Sequence, residues 1–201
     1  MGEIRSDGEA DDLRRLVRAN EGIKHVIRIS SEVNMVALNA MLVAKRSGER
    51  SRGFAVVSSE LRVFSRKLEG AMTVLGSLVF GLVRDAAAMQ KQNRERRLWL
   101  ETMAQGVAMR NRLQPMLRRK EESMRVSGLE IRHDWSRLQL QLGRALQLCE
   151  TGGSLSRSAK IEAVYGGEMS AALKQVATRI EETVNEIFAT LKLLRGQLAE
   201  S

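Results

Sequence analysis

Ser47 to Val57 reads SGERSRGFAVV, and the reading of this stretch decides the fold. Gly48 and Gly53 break a long run of charged and aliphatic residues, and small and branched apolar residues resume directly after them. Upstream, from Asp11 to about Arg46, the residues Leu13, Leu16, Val17, Ile23, Val26, Ile27, Val33, Ala37, Ala40 and Ala44 recur at steps of three and four. That spacing is the stripe of a helix burying one face. Downstream, a second helix runs from about Phe54 into the eighties or nineties. A connection of about six residues between two long helices makes them antiparallel neighbours. The two glycines permit the backbone angles of a tight reversal. Phe54, just beneath the turn, can plug the end of a bundle.

The composition agrees with helices throughout. Of 201 residues, 43% are apolar but only 3% are aromatic, and Pro115 is the single proline. Sheet proteins rely on aromatic and branched residues with frequent turn breakers, whereas Leu, Ala, Met, Arg, Glu and Gln dominate here. The fold class expected is all-α, with long antiparallel helical hairpins forming a four-helix bundle.

The chemistry of most enzymes is missing. His25 and His133 are isolated from each other, Cys149 is the single cysteine, and no acids cluster at ligand spacing, so neither a metal nor another cofactor is expected. Gly48 to Gly53 lacks the Gly-Lys-Ser/Thr ending of a phosphate loop and any strand before it. A non-enzymatic protein without a small-molecule substrate is expected. One cysteine suits a reducing compartment, hence a cytoplasmic location. The N-terminus has no secretory core, and no stretch approaches the ~18–20 apolar residues of a membrane span, so no membrane span is expected.

Four segments follow. Residues 1–8 read as a polar, disordered end, 9–92 as the first hairpin, 93–125 as a charged helical connection and 126–201 as a second hairpin. Pro115 must start, kink or end a helix within the connection. Two placements of the second bend fit the sequence, one at Gly152–Gly153 and one at Gly166–Gly167.

Residues 29–68, ISSEVNMVALNAMLVAKRSGERSRGFAVVSSELRVFSRKL, resemble the signalling tip of bacterial methyl-accepting chemotaxis receptors. The pieces that carry the resemblance are VALNA (36–40), Arg46, Gly48–Glu49, RGFAVV (52–57) and Glu60-Leu61-Arg62. The resemblance implies a hairpin whose bend is a tip touching a histidine kinase and a coupling adaptor protein, with other receptors as further neighbours. Gly48, Glu49, Arg52, Gly53 and Phe54 are then the bend, and Met35, Val36, Asn39, Arg46, Glu49 and Val56 the partner-binding residues. The chain departs from the family pattern at Val43, where a glutamate is usual, so Arg46 lacks its usual partner. Lys45 replaces a small residue and Ser51 a glycine.

A second, fainter copy lies 119 residues later. AMLVAKRSGERSRGFAVVSSEL (40–61) aligns without a gap over AKIEAVYGGEMSAALKQVATRI (159–180). Gly48 meets Gly167, Glu49 meets Glu168, and Phe54 meets Leu173. Glu162 supplies the acid missing at Val43, so a second tip would comprise Glu162, Gly166, Gly167 and Glu168. With two tips, one chain would form by itself the bundle that receptors form as dimers, as a monomer or as a homodimer.

The functional expectation is a chemosensory protein that binds the kinase and adaptor to modulate or scaffold signalling. The rival is a basic helical nucleic-acid-binding or structural coiled-coil protein. The net charge of +9 supports the nucleic-acid rival, through Arg94, Arg96, Arg97, Arg110, Arg112, Arg118, Arg119 and Lys120.

Overall fold

The computed structural model describes residues 3–104 and 106–199, with side chains from residue 13 onward except those of 108 and 199. Of the expected polar end, residues 1–2 and the side chains of 3–8 lie outside the described residues. The order is α1 (Glu3–Arg46), a 3-10 turn (Glu49–Ser51), α2 (Arg52–Met103), α3 (Val107–Val164), a second 3-10 turn (Gly167–Met169) and α4 (Ser170–Ala199). The described residues contain no strand, so the fold is all-α. Helices α1, α2 and α3 contribute to both of two compact units, one of Ala19–Gly76 with Gln139–Ser201 and one of Met1–Arg18 with Ser77–Leu138.

The first unit is a four-helix bundle holding both bends. Its core positions keep one rhythm. On α1, Ala19, Ile23, Val26, Ser30, Val33, Ala37, Ala40 and Ala44 are buried, alternating steps of four and three. On α2 the series is Phe54, Ser58, Leu61, Ser65, Leu68, Met72 and Leu75, preceded by Ser51 of the 3-10 turn, and on α4 Leu173, Ala177, Ile180, Val184, Ile187, Leu191, Leu194 and Leu198. This is the heptad of a coiled coil, whose 3.5-residue period keeps one seam facing its partners. Each fully buried Leu or Ile contributes about 1.5–3 kcal/mol.

Pairs between neighbours close a ring in the order α1, α2, α3, α4. Ser65 Oγ donates to the Ser30 carbonyl, and Arg62 Nε to Asn34 Oδ1 at 3.3 Å, across α1 and α2. His25 Nε2 and Glu186 Oε1 meet at 3.0 Å, and Arg179 pairs with Glu32, across α1 and α4. Lys160 pairs with Glu181, and Gln139 Nε2 donates to the Leu198 carbonyl at 3.4 Å, across α3 and α4, while Gly53 lies beside Glu162 and Phe64 beside Gly152 across α2 and α3. In each case residue numbers rise on one helix as they fall on the other, so neighbours are antiparallel. The Oγ atoms of Ser30, Ser51 and Ser58 are buried without a hydrogen-bond partner, and these small polar residues cost the core stability.

Gly152 and Gly153 are not a bend. Both lie inside α3, and a Cβ added to Gly152 would stand 2.5 Å from the Phe64 ring. This glycine is a notch for the Phe64 ring on α2, and the chain turns instead after Val164.

In the other unit, α2 and α3 pair antiparallel, with Met89 beside Gly128 and, further along α2 but earlier on α3, two ion pairs. Glu95 takes Lys120, and Arg96 Nε lies 3.5 Å from Glu121 Oε1. Helix α2 stops at Met103 and α3 begins at Val107. Pro115 neither starts nor ends a helix, standing inside α3, where it withdraws the N–H that would reach the Asn111 carbonyl.

By length and composition, α1 and α2 each contain a window apolar enough to cross a membrane, where the sequence reading expects no such stretch. Small polar residues such as Ser30 and Ser77 sit between the aliphatics and hide such windows from a run count. A core helix of a bundle passes the same test, and α1 and α2 carry heptad core faces, although only 33% and 22% of these windows are buried.

Cys149 occupies a core position of α3, and burial pushes its thiol up to about 12. A thiol reagent at pH 8 should therefore leave the folded protein unmodified and label it stoichiometrically in denaturant. Rapid labelling under native conditions would mean that this layer of the bundle opens.

Candidate functional site

Each bend begins where a glycine takes a left-handed conformation. Gly48 has φ 73° and Gly167 φ 58°, and no other described residue has positive φ. A side chain at either would clash with its own backbone. At the first bend, Ser47 N–H donates to the carbonyls of Val43 (3.2 Å) and Ala44 (3.1 Å), its Oγ donates to Val43 O (2.9 Å), and Ser51 N–H donates to Gly48 O (3.2 Å). At the second, Tyr165 N–H donates to Glu162 O (3.1 Å), Gly166 N–H to Ala163 O (3.4 Å) and Met169 N–H to Gly166 O (3.1 Å). Phe54 and Leu173, equivalent in the 119-residue register, are both fully buried just after their bends.

The two bends lie side by side. A Cβ added to Gly53 would overlap Glu162 Oε2, so the Glu162 carboxylate rests directly on Gly53. That places a negative charge against the first turn of α2, where the unpaired N–H groups and the helix dipole favour it. In return, Arg50 reaches across so that its Cδ stands 3.5 Å from where a Cβ of Gly167 would be. The copies differ in a matched way. The register that pairs Glu162 with Val43 pairs Gly53 with Ala172, so the copy facing an acid has the glycine that makes room for it.

Glu49 and Arg52 pair with each other at 3.4 Å, with side chains 87% and 78% exposed. An exposed pair of this geometry contributes little. The glycines, the backbone bonds and the buried Phe54 hold the bend.

Of the residues expected to meet a partner, Met35 (57% exposed), Asn39, Arg46, Glu49 and Val56 (59% exposed) face outward, and Val36 is half-buried. Met35, Asn39, Leu42 and Arg46 follow at steps of four, three and four, which puts them on one outer face of α1. Val56 and Val63 stand at the same outermost heptad position of α2, and both are exposed. Leu42 and Val63 are missing from the sequence-based set, although their seven-residue spacing from Met35 and Val56 marks them. The second hairpin carries Ser154, Ile161, Gln175 and Glu182 at the equivalent outermost positions. All four are exposed, but three are polar. Of the second-tip residues, Gly167 and Glu168 are exposed at the bend, Gly166 is buried under it, and Glu162 turns toward the first bend.

Residues 5–116 match the model of the methyl-accepting chemotaxis protein (MCP) signalling domain, which is more than half of the chain. The match contains all but the first two residues of α1, the first bend and α2, and stops early in α3. Among curated proteins, the chain is 31% identical over 111 residues to methyl-accepting chemotaxis protein TlpQ of Pseudomonas aeruginosa, covering 53% of this chain and 16% of that protein. It is 41% identical over 71 residues to methyl-accepting chemotaxis protein CtpM of the same organism, covering 34% of this chain and 13% of CtpM. Frizzy aggregation protein FrzCD of Myxococcus xanthus is 32% identical over 94 residues, 44% of this chain and 22% of FrzCD. The chain thus spans less than a quarter of the length of each of these relatives.

The Gly53–Glu162 contact makes a sharp prediction. Gly53→Ala should gain less stability than the helix preference for alanine allows, because the new methyl makes the flexible, half-buried Glu162 carboxylate swing aside. In a Glu162→Ala background the same change should be neutral or stabilising by about 0.5–1 kcal/mol, the helix preference for Ala over Gly. Chemical denaturation of the four proteins of this cycle measures the coupling, and strict additivity would remove the contact from the account.

Proposed function

The chain belongs to the methyl-accepting chemotaxis protein signalling-domain family, and on that premise we propose that it is a cytoplasmic, non-enzymatic signalling bundle that docks a chemotaxis histidine kinase and its coupling adaptor through the first bend. One observation carries this reading. The outer face of the first hairpin, within the residues that match the family, is apolar at Met35, Leu42, Val56 and Val63, where an ordinary solvated coiled coil carries charge. Rim residues Asn39, Arg46 and Glu49 add polar groups that set orientation, and Arg46 takes no carboxylate partner among the described residues. The second bend acts as a brace, setting Glu162 and Arg50 between the tips. Docking is then one-sided, because Ser154, Gln175 and Glu182 replace the apolar residues on the other hairpin.

The test is co-purification of the full chain with a kinase and adaptor, with kinase activity assayed in the same samples. Val56→Arg should reduce association at least about tenfold, the scale of a buried apolar contact replaced by a charge. Gln175→Arg, at the equivalent position of the second hairpin, should leave association intact, and Glu49→Ala should weaken it. If wild type binds neither protein the reading fails. If both arginine variants lose binding equally, docking is not one-sided.

A further inference from the structure

Residues 84–125 hold eleven Lys and Arg against five Asp and Glu, a surplus of six that is most of the chain's net charge of +9. None of this surplus is used at the bends. Two of the cations lie in cross-helix pairs, Lys120 with Glu95 and Arg96 with Glu121. Arg94, Arg97, Arg110, Arg112, Arg118 and Arg119 are exposed and take no carboxylate among the described residues.

These arginines are interleaved with large apolar side chains that the hairpin leaves in solvent. Leu98 is 54% exposed and Met116 51%, and Leu100, Val107 and Met109 are exposed as well. On α3, Met109, Arg112, Met116 and Arg119 stand at i, i+3, i+7 and i+10, so methionine and arginine alternate along one face. Lys120 is one turn beyond Met116, and Glu95 lies one turn before Leu98 on α2. Their ion pair therefore joins the Met116 row to the Leu98 row in one continuous surface. Trp99 is turned inward, half-buried with the Lys120 ammonium 5.5 Å from its ring centroid.

We propose that this face, at the end of the α2–α3 hairpin, docks on an anionic lipid surface. Charge complementarity selects a polyanion, and the apolar side chains select among polyanions. A bilayer interface offers acidic headgroups beside hydrocarbon, so arginines remain at the headgroups while Leu98, Met109 and Met116 enter the acyl boundary. A nucleic-acid backbone offers phosphate without hydrocarbon, and its bases need aromatic platforms. The one aromatic side chain here, Trp99, is already covered by Lys120. The proposal is independent of the bends and of what docks there.

The test is co-sedimentation of the full chain with vesicles of phosphatidylcholine alone, and with vesicles containing about 30% phosphatidylglycerol. Binding should require the anionic lipid and weaken as salt is raised. Arg112→Gln with Arg119→Gln should lower the partition coefficient about twenty-five-fold, at roughly fivefold for each arginine near the surface. Met109→Ser with Met116→Ser should lower it several-fold. Both double variants change exposed positions, so circular dichroism should show unaltered helicity, and Val56→Arg should partition as wild type does. Absence of sedimentation, equal binding to the two vesicle types, or indifference to both double variants would overturn the proposal. So would duplex DNA that strips the protein from anionic vesicles, an outcome that assigns the face to nucleic acid.

Discussion

Four heptad faces carried by one chain close on a common core, and every other feature of the bend-bearing unit is fixed by that closure. On α2 the core positions alternate serine with Phe54, Leu61 and Leu68, whereas the core face of α1 ends in the alanines Ala37, Ala40 and Ala44. Interiors tolerate little void or overlap, so size on one helix must be answered on the next. Phe64 is answered by Gly152. In the repeat register the corresponding residues are Thr183 and Val33, a smaller residue matched with a larger one.

The same rule reaches the bends. A left-handed glycine starts each reversal, but a reversal alone does not place two tips together. Glu162 on Gly53, and Arg50 beside Gly167, make each bend part of the other's surroundings. The acid sits where the helix dipole of α2 welcomes it, so its position is electrostatic as well as steric. The apolar outer face of the first hairpin is thereby presented on a braced end.

Much of this was legible in the sequence. The period of α1 and α4 and the reversal at Gly48 follow from spacing and glycine chemistry. The stripe drawn on α1 included Val17, which is 53% exposed, and omitted Ala19 and Ser30, which are buried. Small or polar residues at core positions carry no hydropathy signal, so the register can be seen only once the partner helix is known. The choice between Gly152–Gly153 and Gly166–Gly167 stayed open for the same reason. A glycine that makes room for Phe64 and one that turns the chain read identically until the neighbour is in place. Of the site, the outward residues Met35, Asn39, Arg46 and Val56 could be named from the motif. The contact of Glu162 with Gly53 joins residues more than a hundred positions apart, and no local pattern encodes it.

Carrying both hairpins on one chain also changes how this surface can vary. In a symmetric dimer each substitution appears twice, once on either side of the axis, so an outer face cannot be altered without its mate. Here Val56 and Gln175 occupy equivalent places but are separate codons. A charge can be introduced on one side while the other keeps its apolar character. The pseudo-symmetric core preserves the shape of a two-sided object, and the chain is free to make its two sides different.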